Sequence, residues 1–255
     1  MLSPARPDLI PALPRRVTEQ TGYQFTAYGL SHWLVLLVFA AGSAALIAWG
    51  RRHHGTARAR WFSRAFAIVV ITLHLTVQLY SAVAAEWNID LVIPLHLSDL
   101  AGFVVAYALW SHRKWAHALT YYWCLTLSAQ ALVSPVHTGP DFPHHEFLAF
   151  WTMHLLVIWA AIYLTWGLGA RPDWRSFRVA VLVTLCWVGV AMSFNAFSGT
   201  NYGFLNRKPE ITTVLDLFGP WPVYLVPEFA LVLTVWALMT LPWTRQPTRR
   251  PAGRT

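Results

Sequence analysis

Four long apolar stretches of this chain each carry polar side chains of a kind that does chemistry. His96, Ser98 and Asp99 sit early in one, Gln130 near the end of another, His154 early in a third and Glu228 early in a fourth. Ionisable groups at membrane depth are costly, so they mark a site more often than they decorate a helix. His96 and Asp99 are three residues apart and share a helix face, with Ser98 about 100° round from Asp99. A serine beside an aspartate, with an imidazole arriving from another helix, is the raw material of a nucleophile–base pair. The same residues also suit two other roles: locking neighbouring helices together, or a proton relay through Asp99, His154 and Glu228.

The loops widen the set. Residues 198–220 hold Asn201, Tyr202, Arg207 and Lys208, and the two cations suit a lipid phosphate or a carboxylate, or are simply solvated. His137, His144, His145 and Glu146 have ligand-type side chains, but no zinc spacing such as H-E-x-x-H accompanies them. A haem bridged by His74 and His154 is conceivable on ligand type. His74, near mid-membrane, reads first as a packing or hydrogen-bonding residue, and neither a metal nor a cofactor is assigned.

The elements that must position these groups follow from hydropathy. Hydrophobic residues make up 56% of the 255 residues and charged ones only 12%. An apolar core about 30 Å thick takes roughly 20 helical residues to cross. Seven stretches fit, near 30–49, 65–84, 91–110, 115–134, 147–167, 177–197 and 221–241. The spacing therefore predicts an all-α, polytopic membrane protein, a bundle of seven transmembrane helices over residues 25–243. Flexible tails are expected at 1–24 and, basic in character, at 244–255.

Charge sets the expected orientation. Of the 19 Lys and Arg residues, 14 fall in the alternate loops and the C-terminal tail that share one side. The positive-inside rule makes that side cytoplasmic and the N-terminus external. Topology and anionic headgroups account for the net charge of +8, so nucleic acid is not an expected partner. Trp49, Trp61, Trp110, Trp115, Trp166, Trp174 and Trp243 mark one boundary and Trp33, Trp87 and Trp221 the other, as an aromatic belt does. Cys124 and Cys186 lie mid-span in different helices, which excludes a disulfide framework and reads as two small buried side chains. Counting about 1.5 Å per residue from the outer boundary puts Ser98, His154 and Glu228 each roughly 10 Å down. Gln130 and Asn195 lie near the outer ends of their helices.

The ordered motifs resemble a known family. Ile93-Pro94-Leu95-His96-Leu97-Ser98-Asp99-Leu100 is similar to the LPLHLCDL signature of the YwaF-like bacterial integral membrane proteins. After it come Tyr122-Trp123, Ser128-Ala129-Gln130-Ala131-Leu132, Phe142-Pro143-His144 and Phe150 to His154. Asn201-Tyr202-Gly203-Phe204-Leu205, Lys208-Pro209, Leu215-Asp216 and Gly219-Pro220-Trp221-Pro222 complete the set. Those proteins look similar to a eukaryotic multi-span acyltransferase that remodels ether phospholipids. That enzyme is in turn similar in helix arrangement to membrane hydrolases of fatty-acid esters with a Thr nucleophile and a His.

The resemblance implies a plasma-membrane lipid acyl-ester transferase or hydrolase with an outward-facing intramembrane site, acting on phospholipids or fatty-acyl lipids. Ser98 stands where the acyltransferase has its Cys nucleophile, and His154 where those enzymes have their remote His. Because a serine hydroxyl is much less acidic than a thiol, Ser98 needs His154 or His96 as base, with Asp99 orienting the imidazole. Gln130, Asn201, Tyr202, Arg207, Lys208 and Glu228 are then the expected substrate contacts. A lipid- or small-molecule-binding protein and a proton-coupled transporter are the alternatives, and the oligomeric state is open.

Overall fold

The structure, a computed structural model, describes residues 24–84, 89–135, 139–208 and 217–244. Residues 1–23 and 245–255 of the expected tails, together with Trp87, His137 and Asp216, lie outside the described residues. The seven apolar stretches are helical, and the described residues contain no strand beyond a single bridge between Gln24 and Pro140. They form α1 (Leu30–His53), α2 (Ala57–Ala84), the short α3 (Ile89–Val92) and α4 (Leu97–Ser111). The fourth stretch is α5 (Lys114–Trp123), a π-helical turn Cys124–Ser128 and α6 (Ala129–Val133) run end to end. The last three are α7 (His145–Ile162) with a π turn Tyr163–Gly167, α8 (Trp174–Ser198) and α9 (Leu225–Thr244).

Burial says how they are layered. Over half of the α7 span (56%) is buried, against 11% in α1 and α8. α7 is therefore the central helix, packed on α1, α2, α4 and α5. The outer helices turn Leu37, Leu79, Leu182, Val226 and Leu238 outward. Such a surface is stable only in lipid. The chain is a polytopic membrane protein. Trp61, Trp110 and Trp174 are exposed at one end and Trp33 and Trp221 at the other, so the belt expected from sequence is present.

Cross-helix bonds from aromatic side chains fix the register. Tyr122 shares a 2.7 Å bond with Thr240, and Trp123 donates to Thr184 at 2.9 Å, tying α5 to α9 and α8. The Tyr163 and Ser63 hydroxyls meet at 3.2 Å between the second π turn and α2. Cys124 is buried as expected, but Cys186 lies on the exposed face of α8, because that helix buries little of its surface.

α8 starts at a capped end. The Asp173 carboxylate accepts from the Ser176 N–H at 2.7 Å and from its hydroxyl at 2.8 Å. Those bonds hold the carboxyl below the ordinary aspartate range. Its contribution is therefore present above about pH 3.8 and lost as pH falls through the depressed value. Asp173→Ala should cost about 1 kcal/mol, the usual worth of an N-cap. The check is a lower thermal midpoint at pH 7 whose gap from wild type closes as pH falls below the depressed value.

Candidate functional site

The third apolar stretch is not one helix. Proline lacks an N–H and drives the residue before it out of the α region. α3 accordingly stops at Val92, and α4 begins only at Leu97. The stretch 91–110 expected as one span is thus interrupted, and Pro94 lies in an unwound segment 93–96. Every carbonyl freed there needs a donor, since none is available from lipid. Trp187 of α8 donates its indole N–H to the Leu95 carbonyl at 2.9 Å. The Tyr202 hydroxyl reaches the Ile89 and Ile93 carbonyls at 2.6 and 3.0 Å. The His96 carbonyl accepts from the Asp99 and Leu100 N–H groups. The break is built in.

Tyr202 can hold it because its own backbone is held. Fully buried, it donates N–H to Asn195 Oδ1 at 2.8 Å and accepts from Asn195 Nδ2 at 3.1 Å. Asn201 is also committed to the loop: its carbonyl oxygen takes the Asn206 and Arg207 N–H groups, and its amide donates to the Arg207 carbonyl. Gly203, at φ +69°, completes the turn, and a Cβ there would lie 2.4 Å from the Trp187 ring. So Asn201 and Tyr202 shape the loop that supports the break, a role their residue types did not announce.

The break sets His96 as the residue before α4, and Ser98 and Asp99 in its first turn. His96 stacks at a tilt on Tyr202, ring centroids 4.8 Å apart. Ser98 is exposed and, among the described residues, makes no hydrogen bond. Asp99 is half-buried, facing His96 and, across the helix contact, Gln78 of α2. The positive end of α4 favours a carboxylate there. Leu97 and Ser98 carry orphan N–H groups of the same helix end.

α2 supplies what the sequence reading ranked lower. The His74 ring lies over Gly102, so close that a Cβ would come within 2.5 Å of its Nδ1, and edge-on to Phe103. Its Nε2 is buried with no partner among the described residues, as is the Gln78 amide nitrogen, which faces Asp99 without completing a bond. His74 and Gln78 are four apart on one helix face, and Gly102 is a gap opposite them. That spacing was the available signal.

His154 comes from α7. Its Nδ1 lies 2.7 Å from the Phe150 carbonyl, and its ring stacks at 4.3 Å on Phe150. A carbonyl can only accept, so Nδ1 carries the hydrogen and Nε2 keeps its lone pair. His32 makes the contrast. Fully buried, it accepts from the Tyr28 N–H through Nδ1 and donates from Nε2 to the Leu132 carbonyl, so both nitrogens are spent on structure. Counted from the boundary tryptophans at the Arg-rich end, Asp99, His74 and His154 lie about 16, 20 and 18 Å up. Their helices α4, α2 and α7 pack on one another, so the three polar groups stand at similar heights in adjoining helices.

The remaining expected residues fall elsewhere. Gln130 is exposed on α6. Glu228, in the first turn of α9, buries an Oε2 that has no partner among the described residues, and lies by Tyr224, over whose ring Lys208 Nζ sits at 5.6 Å. Arg207 is exposed in the loop. The donor atoms of His144, His145 and Glu146 gather within 4.8 Å at the start of α7. His144 Nδ1 there caps the helix, accepting from the Glu146 N–H.

Residues 27–240 match the family model of the TMEM164 family. The chain belongs to the TMEM164 family. The match runs from just before α1 into α9, so the broken span, both π turns and the Asn195–Tyr202 brace all lie inside the TMEM164-family region. No curated protein and no solved structure matches the chain.

Proposed function

We propose that this TMEM164-family protein is a lipid acyl-ester transferase or hydrolase whose site opens on the side opposite its Arg-rich end. The observation that carries the reading is the fixed His154 tautomer: Nδ1–H is held by the Phe150 carbonyl and Nε2 keeps its lone pair, at a height that a count of about 1.5 Å per residue puts near Ser98. Ser98 attacks the ester carbonyl while His154 Nε2 takes its proton. The C–O bond of the leaving alcohol then breaks as the imidazolium returns that proton. The acyl-serine passes its acyl group to water or to a lysolipid. The orphan N–H groups at the start of α4 are suited to the developing oxyanion. The resemblance of 93–100 to the YwaF-like signature, and through it to an ether-phospholipid acyltransferase, supports the same chemistry. With the Arg-rich end cytoplasmic, the site faces the outer leaflet of a bacterial plasma membrane, and phospholipids or fatty-acyl lipids are its substrates.

The test is fluorophosphonate labelling of purified protein in detergent, with the adduct located by peptide mass spectrometry. Wild type should be labelled at Ser98 and Ser98→Ala should not. A folded wild type that resists labelling would sink the serine-enzyme reading.

A second reading, proton-coupled transport, is favoured by the broken span, since half-helix ends that face polar groups recur in transporters. There Asp99 with His74 and Gln78 would be the relay. Asp99→Asn would then abolish proton uptake by proteoliposomes, and Ser98→Ala would leave it intact.

A further inference from the structure

The Arg-rich end contains a cavity of about 450 Å³ where the α1–α2 turn, the start of α2, the α4–α5 turn and the segment after the second π turn meet. Arg60, Arg64, His54, His112 and His117 line it, and among the described residues no carboxylate does. Two observations separate this from basic residues merely scattered by topology. Arg64 is held in place, its guanidinium 5.4 Å above the Trp110 ring. The rings of His112 and His117 stand 5.9 Å apart from two different helices, and the buried Nε2 of His117 has no partner among the described residues. His112 takes up its position through a left-handed backbone, φ +52°, that ends α4. The positive end of the 28-residue α2 adds to the field. Several cationic or titratable groups thus converge on a concave space without a counter-charge.

We infer that this cavity is a binding site for a phosphate-bearing anion, the chemistry shared by an anionic phospholipid headgroup and a free phosphate. Two guanidiniums from one helix face, a turn apart at Arg60 and Arg64, match the oxygens of a tetrahedral anion. The site stands at the interfacial tryptophans, where headgroup phosphates lie. It is independent of whatever chemistry occurs in the opposite half of the bundle.

Proton linkage is a secondary consequence. Burial, and then the neighbouring Arg64, hold His112 below the ordinary imidazole value. A bound anion offsets that repulsion, so binding takes up protons and should tighten as pH falls from 8 towards 6. Arg60, Arg64, His54 and His117 line the same cavity as His112; of these, Arg64 is the charge that bears on it.

The experiment is the thermal midpoint of detergent-purified protein titrated with phosphatidic acid, phosphatidylcholine or inorganic phosphate. It uses wild type, the double variant Arg60→Ala/Arg64→Ala and the charge-matched control Arg52→Ala/Arg178→Ala. Saturable stabilisation by phosphatidic acid is expected, with none by phosphatidylcholine at the same concentrations. The cavity variant should need at least tenfold more lipid for the same shift, and the control should behave as wild type. Saturation by inorganic phosphate identifies a free anion as the source; saturation by phosphatidic acid alone identifies a headgroup. Equal losses in the two double variants would reduce the site to diffuse surface charge and overturn the inference, as would stabilisation that never saturates. Should the alanine variant melt too low to titrate, Arg60→Gln/Arg64→Gln keeps the bulk of both side chains and is read in the same way.

Discussion

Replacing His154 with alanine is expected to lower acyl-ester turnover by about 10²–10⁴-fold, the usual worth of a positioned general base. The loss should fall on kcat rather than KM, because the imidazole acts on the Ser98 proton in the transition state and not on the bound chain. The bundle should survive the change. The Phe150 carbonyl that His154 Nδ1 contacts also accepts the helical bond from the His154 backbone, so no buried acceptor is orphaned. What is lost is one ring stack at 4.3 Å and a half-buried side chain, of order 1 kcal/mol. Turnover is measured by mass spectrometry of released fatty acid and acylated lysolipid, beside the rate of fluorophosphonate labelling. Ester turnover within threefold of wild type would remove His154 from the mechanism and leave Ser98 without the base the proposal assigns to it.

The span count was legible because seven apolar stretches, each near the length of a bilayer core, leave little alternative. The all-helical membrane fold follows directly from that. The break at residues 93–96 was not, although Pro94 was in view. A proline in the first turn and a proline inside an unwound segment look alike in sequence, and the difference is made by donors far along the chain. Trp187, 92 residues away, and Tyr202, more than a hundred from the carbonyls it meets, make the unwound backbone affordable.

The layer of polar groups was legible in part. Depth counting placed Ser98, His154 and Glu228 at one level; Glu228 stands in the first turn of α9, beside Tyr224. The count ranked His74 below them because the second span was counted over 65–84, whereas α2 runs Ala57–Ala84 and the His74 ring lies against Gly102 of α4. Asn201 and Tyr202 were expected at a substrate on the strength of the family resemblance. Their bonds go instead to the loop and to the break, which pairing distances decide and residue types cannot.

The second large effect is structural and sits at the Arg-rich half of the bundle. Gly50→Ala should destabilise the protein by about 1–3 kcal/mol, the cost of inserting a methyl group into a packed contact, and more for any larger residue. A Cβ at Gly50 would lie 2.7 Å from the Gly167 Cα and 2.9 Å from its carbonyl carbon. That obstacle is backbone, so relief requires α1 to move off the π turn that ends α7. The motion would also disturb Tyr163, which stands 3.1 Å from the same Cβ and carries the bond to Ser63. Close approach of two glycines is how membrane helices gain packing where no hydrophobic drive separates them from lipid. Gly102→Ala is the informative comparison. Its obstacle is the imidazole of His74 at 2.5 Å, a side chain that can rotate away. That variant should melt closer to wild type, because a side chain can yield where a backbone cannot. The thermal midpoint of Gly102→Ala should therefore lie above that of Gly50→Ala. Gly50→Ala melting within a degree of wild type would show that α1 and α7 have room to spare, and the closeness of Gly50 to Gly167 would then place no constraint on the fold.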